Sequence, residues 1–224
     1  MGFQETNINW DRLPSKHSWE ERTIGWWKGG QTTIKAHNKK DIIQSLHQPG
    51  GCMVTSVNSA RRKIIECGVD FRGLGRWAWT RYKGKSGITF RVISAYRPRT
   101  NAGAHTVFSQ QRSYFDNINV GRQPKDIMIE ELCDEIRKWQ DLGDLIMLMT
   151  DVNEHVGNDF ITNTFQAVGL KEAILDQHLE MHDPQPTYQR GSDPIDGIFI
   201  SANIEIQSAG YLPFGDAPSD HRAI

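Results

Sequence analysis

Several short segments of this 224-residue chain carry side chains suited to hydrolysis at a charged centre. Gln4-Glu5-Thr6-Asn7 stands near the start, and Ile93-Ser94-Ala95-Tyr96-Arg97-Pro98 reads as a strand end, where a phenol and a guanidinium arrive just before a proline stops the ladder. Thr150-Asp151-Val152-Asn153 follows the apolar run Leu145 to Met149, and strand alternation puts Asp151 and Asn153 on one side. Pro194-Ile195-Asp196-Gly197 and Pro218-Ser219-Asp220-His221 complete the set. A carboxylate can hold a hard divalent cation or take a proton from water, a neutral amide or phenol can donate to an oxyanion, and a histidine beside a carboxylate is a tunable donor. Each segment alone is ordinary turn chemistry, Asp-x-Asn above all. Their value depends on the elements that would gather them.

Those elements are partly legible. Cys52 to Val57, Arg76 to Tyr82, Ile88 to Tyr96, Asp144 to Thr150, Ile195 to Ser201 and Ile204 to Gly210 are short, β-rich or alternating, and bounded by turn residues, which predicts strands. Lys83-Gly84-Lys85-Ser86-Gly87 reads as a hairpin turn and makes the two strands around it antiparallel neighbours. Ile129, Leu132, Cys133, Ile136 and Trp139 recur at helical spacing and predict a helix from Lys125 to Gln140, ended by Gly143; a second falls near Val107 to Asn117. Between Asp11 and Gly50 the pattern is poor, although Asn38 could cap a short helix over the residues that follow. Strands and helices in mixed order argue for an α/β or α+β sandwich.

Composition removes other classes. The longest apolar run is five residues, far short of a membrane span, and the N-terminus shows no basic stretch followed by an apolar core, so the expectation is an intracellular protein, nuclear or cytoplasmic and not secreted. Three widely spaced cysteines, Cys52, Cys67 and Cys133, read as reduced thiols. The formal net charge is −1, yet residues 1–100 carry 18 Lys and Arg against 7 Asp and Glu, and the remainder 8 against 20. Such a split is a reason to look for a polyanion and a divalent cation on one molecule, against the plainer alternative of two solvated faces. Gly73-Leu74-Gly75-Arg76-Trp77-Ala78 matches a dinucleotide fingerprint in letters only, because the residues after it alternate like a strand. His178 and His182 lack companions at zinc spacing, so no structural zinc is expected. Trp10, Trp19, Trp26 and Trp27 could stack bases but read first as core.

Taken in order, the segments resemble the endonuclease/exonuclease/phosphatase superfamily, the fold of deoxyribonuclease I and the abasic-site endonucleases. The details are most similar to the endonuclease domains of non-long-terminal-repeat retrotransposons: Gln4-Glu5-Thr6-Asn7, the Gly50-Gly51 turn, Gly75-Arg76-Trp77, Ser94-Ala95-Tyr96-Arg97-Pro98 and Ser219-Asp220-His221, spanning Phe3 to His221. The resemblance implies a four-layer α-β-β-α sandwich with two mixed sheets, formed as one domain over residues 1–224. It implies a nuclease that nicks DNA with Mg²⁺, or Mn²⁺ in its place, associated with a reverse transcriptase domain in a longer parent protein. It assigns Glu5 and Asp220 to the metal, Asp151 to general base catalysis, Tyr96 and Asn153 to phosphate donors, His221 to a donor oriented by Asp196, and Asn7 and Arg97 to substrate binding. Thr150 departs from the family's usual glycine. Family domains also begin with a strand ahead of the Gln-Glu segment and continue past Ser-Asp-His, so the expected domain lacks its first strand and extreme C-terminus, and its activity is in question. The competing readings are a catalytically dead DNA-binding relic and a phosphatase of the same superfamily.

Overall fold

The computed structural model describes residues 1–100, 103–178, 185–217 and 219–224. His182 and Pro218, named above, lie outside the described residues. The strands are β1 (Gly2–Gln4), β2 (Gln31–Ala36), β3 (Cys52–Val57), β4 (Ile64–Val69), β5 (Trp77–Lys83), β6 (Thr89–Tyr96), β7 (Asp144–Asp151), β8 (Leu170–Glu172) and β9 (Asp196–Ser201). The α-helices are α1 (Trp19–Arg22), α2 (Asn58–Arg61), α3 (Val107–Asn117), α4 (Pro124–Asp141), α5 (Asp159–Gln166) and α6 (Ala173–Gln177).

Two sheets stack. The larger runs β4-β5-β6-β7-β9-β8 and is mixed, with β6 and β7 parallel and its other pairs antiparallel; the smaller, β1-β3-β2, is antiparallel throughout. Strand alternation splits the large sheet's side chains between two cores. Ile93, Ala95, Ile146 and Leu148 pack with Met128, Leu132, Ile136 and Trp139 of α4 and with Ile161 and Phe165 of α5. On the other face Val92 and Tyr96 join Ala36, Cys52 and Val54 of the small sheet. Gln4 stitches the sheets together: its amide donates to Ser94 Oγ at 3.0 Å and to the Met149 carbonyl at 3.2 Å, while Ser94 Oγ donates back to the Phe3 carbonyl. The result is the expected α+β sandwich, with one mixed sheet rather than two, and with the four-residue α1 and α2 against the strands of the small sheet.

The hairpin, the long helix and the central strands form where the pattern places them. Ile204 to Gly210 does not become a strand. Its alternation is real, but a turn follows β9, with the Ile204 N–H donating to the Ser201 carbonyl, and the segment pairs with no strand of either sheet. Asn38 accepts from the backbone N–H of Lys40 (2.8 Å) and Asp41 (3.2 Å) as a cap would, yet no helix follows. β2 and β4 escape the pattern: β2 is half-buried over most of its length, and a register shift between Ile64 and Glu66 breaks the alternation of β4. Trp77 opens β5, which disposes of a dinucleotide turn. Trp10, Trp19, Trp26 and Trp27 are absent from the buried core; Phe3, Trp19, Trp26 and Trp27 form a chain of ring contacts in which Trp26 is 66% exposed. The cysteines are free thiols, Cys52 and Cys133 buried and Cys67 exposed. No helix among the described residues is long and apolar enough to cross a membrane.

The charge split has an internal use. Arg76, Arg91 and Arg97, all from the basic part of the chain, are about 1% exposed. Arg76 pairs with Asp70 and Glu131, Arg91 with Asp144 and Glu66, and Arg97 with Glu154 and Asp126. Part of the basic first half is thus neutralised by acids of the second half, because a buried guanidinium needs both a counter-charge and hydrogen-bond acceptors.

Candidate active site

The register of the three central strands builds the site. Tyr96 lies beside Asp151 in the parallel β6–β7 pair, and Asp151 beside Asp196 in the antiparallel β7–β9 pair. Residues paired across adjacent strands face the same side, so one phenol and two carboxyls stand in a row at one end of the sheet, turned toward the small sheet. All three are buried.

Gln4-Glu5-Thr6-Asn7 reaches the row from the end of β1. Glu5 and Asn7 hold left-handed backbone angles, φ 50° and 54°, and a glycine turn clamps them: Thr6 N–H donates to the Gly51 carbonyl, Asn7 N–H to the Gly50 carbonyl, and Gly50 N–H to Asn7 Oδ1 at 2.9 Å. Gly51 is irreplaceable here on two counts. Its φ is +89°, and a Cβ would stand 2.7 Å from Thr6 Oγ1 and 2.8 Å from the Ala36 carbonyl.

His221 comes from the far end of the chain. Its Nδ1 lies 2.7 Å from Asp196 Oδ2, and the Tyr188 ring packs 5.0 Å from the imidazole. Burial opposes the charged ring, but the hydrogen bond and charge of Asp196, with Asp151 and Asp220 adding to it, push the His221 pKa up to about 9. Burial and the neighbouring Asp196 raise Asp151 well above the usual carboxylate range, against the Asn153 backbone N–H, which donates to its Oδ1 at 2.8 Å. Tyr96 is raised by burial and by the charges of Glu5 and Asp151, so its phenol stays protonated. Glu5 is raised by burial, with Asp220 adding to the rise and Tyr96, His221 and Asn7 opposing it.

The cleft over this row has two lobes, of about 310 and 580 Å³, that share Glu5, Asn7, Asp151, Asp220 and His221. Asp196 lines the smaller, while Tyr96 and Asn153 line the larger. Asn153 is not in the strand: β7 ends at Asp151, and Asn153 adopts φ 52°, its amide donating to the Arg97 carbonyl at 2.7 Å. Arg97 does not line either lobe. Its guanidinium donates to the Val152 and Lys125 carbonyls and meets Glu154 at 3.1 Å, which spends it on bracing the β6 and β7 ends against α4. The arginine that reaches the larger lobe is Arg99, together with His47, His105 and Arg190. Sequence reasoning missed these four, and the only signal was the Arg-Pro-Arg spacing, which offers two arginines without saying which one turns inward.

Asp151, Asp196 and His221 offer one ligand atom each within 4.8 Å of one another. The hydrogen bond to Asp196 occupies His221 Nδ1, so this trio reads first as a proton-holding group. The expected metal pair, Glu5 and Asp220, is brought to the same cleft. Glu5 has no Lys, Arg or His within 4.0 Å among the described residues, and Asp220 meets only the exposed Arg190, at 3.2 Å, in a bridge of the kind worth about 0–1 kcal/mol. Two carboxylates in one cleft with weak or no cationic partners, one of them raised by burial and by its neighbour, fit a hard divalent cation.

No protein-family model matches the sequence, and no curated protein does. Solved structures share its architecture. A 3′ phosphatase from Neisseria, NExo, bound to a product DNA hairpin, aligns over 99% of this chain and 85% of its own with a TM-score of 0.61 and 16% identity. The human Nocturnin catalytic domain with bound sulfate aligns over 98% and 76%, with a TM-score of 0.59 and 14% identity. An AP endonuclease from Archaeoglobus fulgidus aligns over 89% and 75%, with a TM-score of 0.52 and 13% identity. Likeness at these identities is a likeness of fold, and the chain shares its α+β sandwich architecture with these three solved structures.

Proposed function

We propose that this chain is a divalent-metal-dependent phosphodiesterase that nicks DNA, with Mg²⁺ as its metal and Mn²⁺ as a substitute. One observation carries the reading: Tyr96, Asp151 and Asp196 stand level on three adjacent strands, and Glu5 and His221 reach the same cleft from opposite ends of the chain. An accidental gathering would have no reason to put a neutral donor, a basic carboxylate and a carboxylate-bound imidazole around one space.

The roles follow from the local chemistry. Asp151, made more basic by burial and by Asp196, orients the attacking water and takes its proton. Tyr96 and Asn153 serve the phosphate as neutral polar groups that need no reorganisation. His221, charged at neutral pH, donates to a phosphate oxygen from its Nε2 while Asp196 holds Nδ1. Glu5 and Asp220 would hold the metal, which when bound neutralises phosphate charge and acts as a Lewis acid. Asn7, which lines both lobes, keeps the Glu5 segment in place through Gly50 and stands where it can meet substrate, while Arg97 supports the Asn153 turn from behind the site. Arg99 and Arg190, at the rim, supply positive charge for the DNA backbone.

The retroelement part of the reading rests on the identity and order of the sequence motifs, and a reverse transcriptase reading frame contiguous with this one in the transcript is its test. The activity is tested by nicking of supercoiled plasmid with Mg²⁺ and with EDTA, comparing the chain with Asp151→Asn. Metal-dependent nicking that disappears in the variant is expected. Folded protein that binds DNA without nicking it supports the dead binding module instead, and release of phosphate from a 3′-phosphorylated oligonucleotide without nicking supports the phosphatase.

A further inference from the structure

The Asp196–His221 pair joins segments far apart in the chain, and one buried residue fastens both, by its side chain and by its backbone. Thr187 is 0% exposed. Its Oγ1 accepts from the backbone N–H of Ile195 at 2.9 Å and of Asp196 at 3.1 Å, and its carbonyl accepts from the backbone N–H of Arg222, next to His221, at 2.7 Å. The same short segment continues the contact: Tyr188 forms an antiparallel bridge with His221, and Gln189 N–H donates to the Asp220 carbonyl at 2.8 Å.

The need for such a fastening lies in the sheet. β8 is three residues long and pairs only with Phe199, Ile200 and Ser201, so the first half of β9 has no strand on that side. Its backbone N–H groups must still find acceptors, since a buried orphan is costly. Side chains replace the missing strand: Glu172 Oε1 accepts from Ile198 N–H at 3.1 Å, and Thr187 Oγ1 serves Ile195 and Asp196. A hydroxyl oxygen has the two lone pairs this requires, and a β-branched side chain holds it at a restricted χ1.

We infer that Thr187 is a positioning residue for the proposed reaction: by binding the amide of Asp196 through its hydroxyl and the amide beside His221 through its carbonyl, it fixes the carboxylate and the imidazole against each other. It touches neither substrate nor metal and acts through Asp196. The inference takes its functional meaning from the proposed nuclease reading, but the geometry it concerns is measurable without catalysis.

Two variants and two readouts test it. Thr187→Ser keeps the accepting oxygen; Thr187→Val keeps the shape and loses it. In plasmid nicking, Thr187→Val should lower kcat about 10- to 100-fold, the usual range for groups that orient a site's ligands, with KM nearly unchanged, and Thr187→Ser should restore most of the rate. In proton NMR of the metal-free chain, the low-field Nδ1–H signal of the His221–Asp196 hydrogen bond should persist in Thr187→Ser and vanish or broaden in folded Thr187→Val. Wild-type signal and rate in folded Thr187→Val overturn the inference. Equal losses in Thr187→Val and Thr187→Ser also overturn it, since they report a packing role. Should Thr187→Val not fold, loss of the signal in folded Thr187→Ser overturns it and retention sustains it. If the wild-type chain does not nick but the signal responds as stated, the nuclease reading fails while the positioning of the pair by Thr187 stands.

Discussion

Asp151 and Asp196 sit opposite each other across the β7–β9 pair, so two buried carboxyls share one face of the sheet, and His221 is bonded to only one of them. The arrangement divides two proton-handling tasks. Asp196 spends its charge on the imidazole, and that same charge, after burial, makes Asp151 more basic.

Asp196→Asn therefore moves both limbs of the pH–rate profile in one direction. Without the neighbouring charge the Asp151 carboxyl falls, which carries the acid limb to lower pH. Without its carboxylate the His221 ring falls from about 9 toward 6.5, so the protonated donor is lost earlier as pH rises and the alkaline limb also moves down. Plasmid nicking from pH 5 to about 10 measures both limbs. An alkaline limb left near its original position would assign that limb to another group.

Tyr96→Phe removes a hydroxyl and keeps a ring that is packed with Val54 and Ala78. Because the phenol stays protonated, its loss should lower kcat about 10²-fold or more at every pH without shifting either limb, the cost of a single preorganised donor. Urea denaturation should show a small change in stability. A rate within twofold of wild type removes Tyr96 from the reaction.

Gly51→Ala forces a side chain into a left-handed position against Thr6 Oγ1 and the Ala36 carbonyl. We expect a loss of stability above the ~0.4–1 kcal/mol scale of unstrained glycine changes, and a fall in nicking through displacement of Glu5. The thermal midpoint and the Mn²⁺ affinity read the two effects separately. Unchanged values of both would mean that the turn relaxes and does not clamp the segment.

Asp144 tests the fold away from the chemistry. Its carboxylate binds Arg81, Arg91 and Thr89, and despite the opposing cost of burial these hydrogen bonds hold its pKa below 3.8. A folded value below the unfolded one stabilises the protein at pH above about 4, and that contribution is lost as pH falls through the folded value. Asp144→Ala leaves Arg91 buried without its main acceptor and should cost about 3–5 kcal/mol in urea denaturation at pH 7, with the folded fraction still nicking DNA. A loss that does not shrink as pH falls below about 4 would contradict the charge-based account.

DNA affinity should fall steeply with salt, because Arg99 and Arg190 line the cleft rim and phosphate contacts release counterions. Fluorescence anisotropy of a labelled duplex across a salt series gives the slope. Arg99→Ala should flatten it by about one phosphate contact, and Arg97→Ala should destabilise the protein without changing the slope.

The motifs, the long helix and the central strands were legible because each depends on neighbours in the chain. Alternation along Leu145 to Met149 and helical spacing from Ile129 to Trp139 are local geometry, and the types Glu5, Tyr96, Asp151, Asp196 and His221 announce their chemistry wherever they stand. Tertiary structure decided the rest. Whether Ile204 to Gly210 becomes a strand depends on a partner strand that alternation by itself cannot supply, and the large sheet ends at β8 without it. Whether Arg97 or Arg99 enters the cleft depends on where Glu154 and the Lys125 carbonyl wait to receive a guanidinium. The charge split, read in one dimension as two opposed faces, is in part a set of ion pairs that close only when the halves of the chain meet, because a buried arginine is tolerable only beside its acid. Thr187 gave no sequence signal, since its work is to accept two amides that a three-residue strand leaves unpaired, and the length of that strand is a property of the folded sheet.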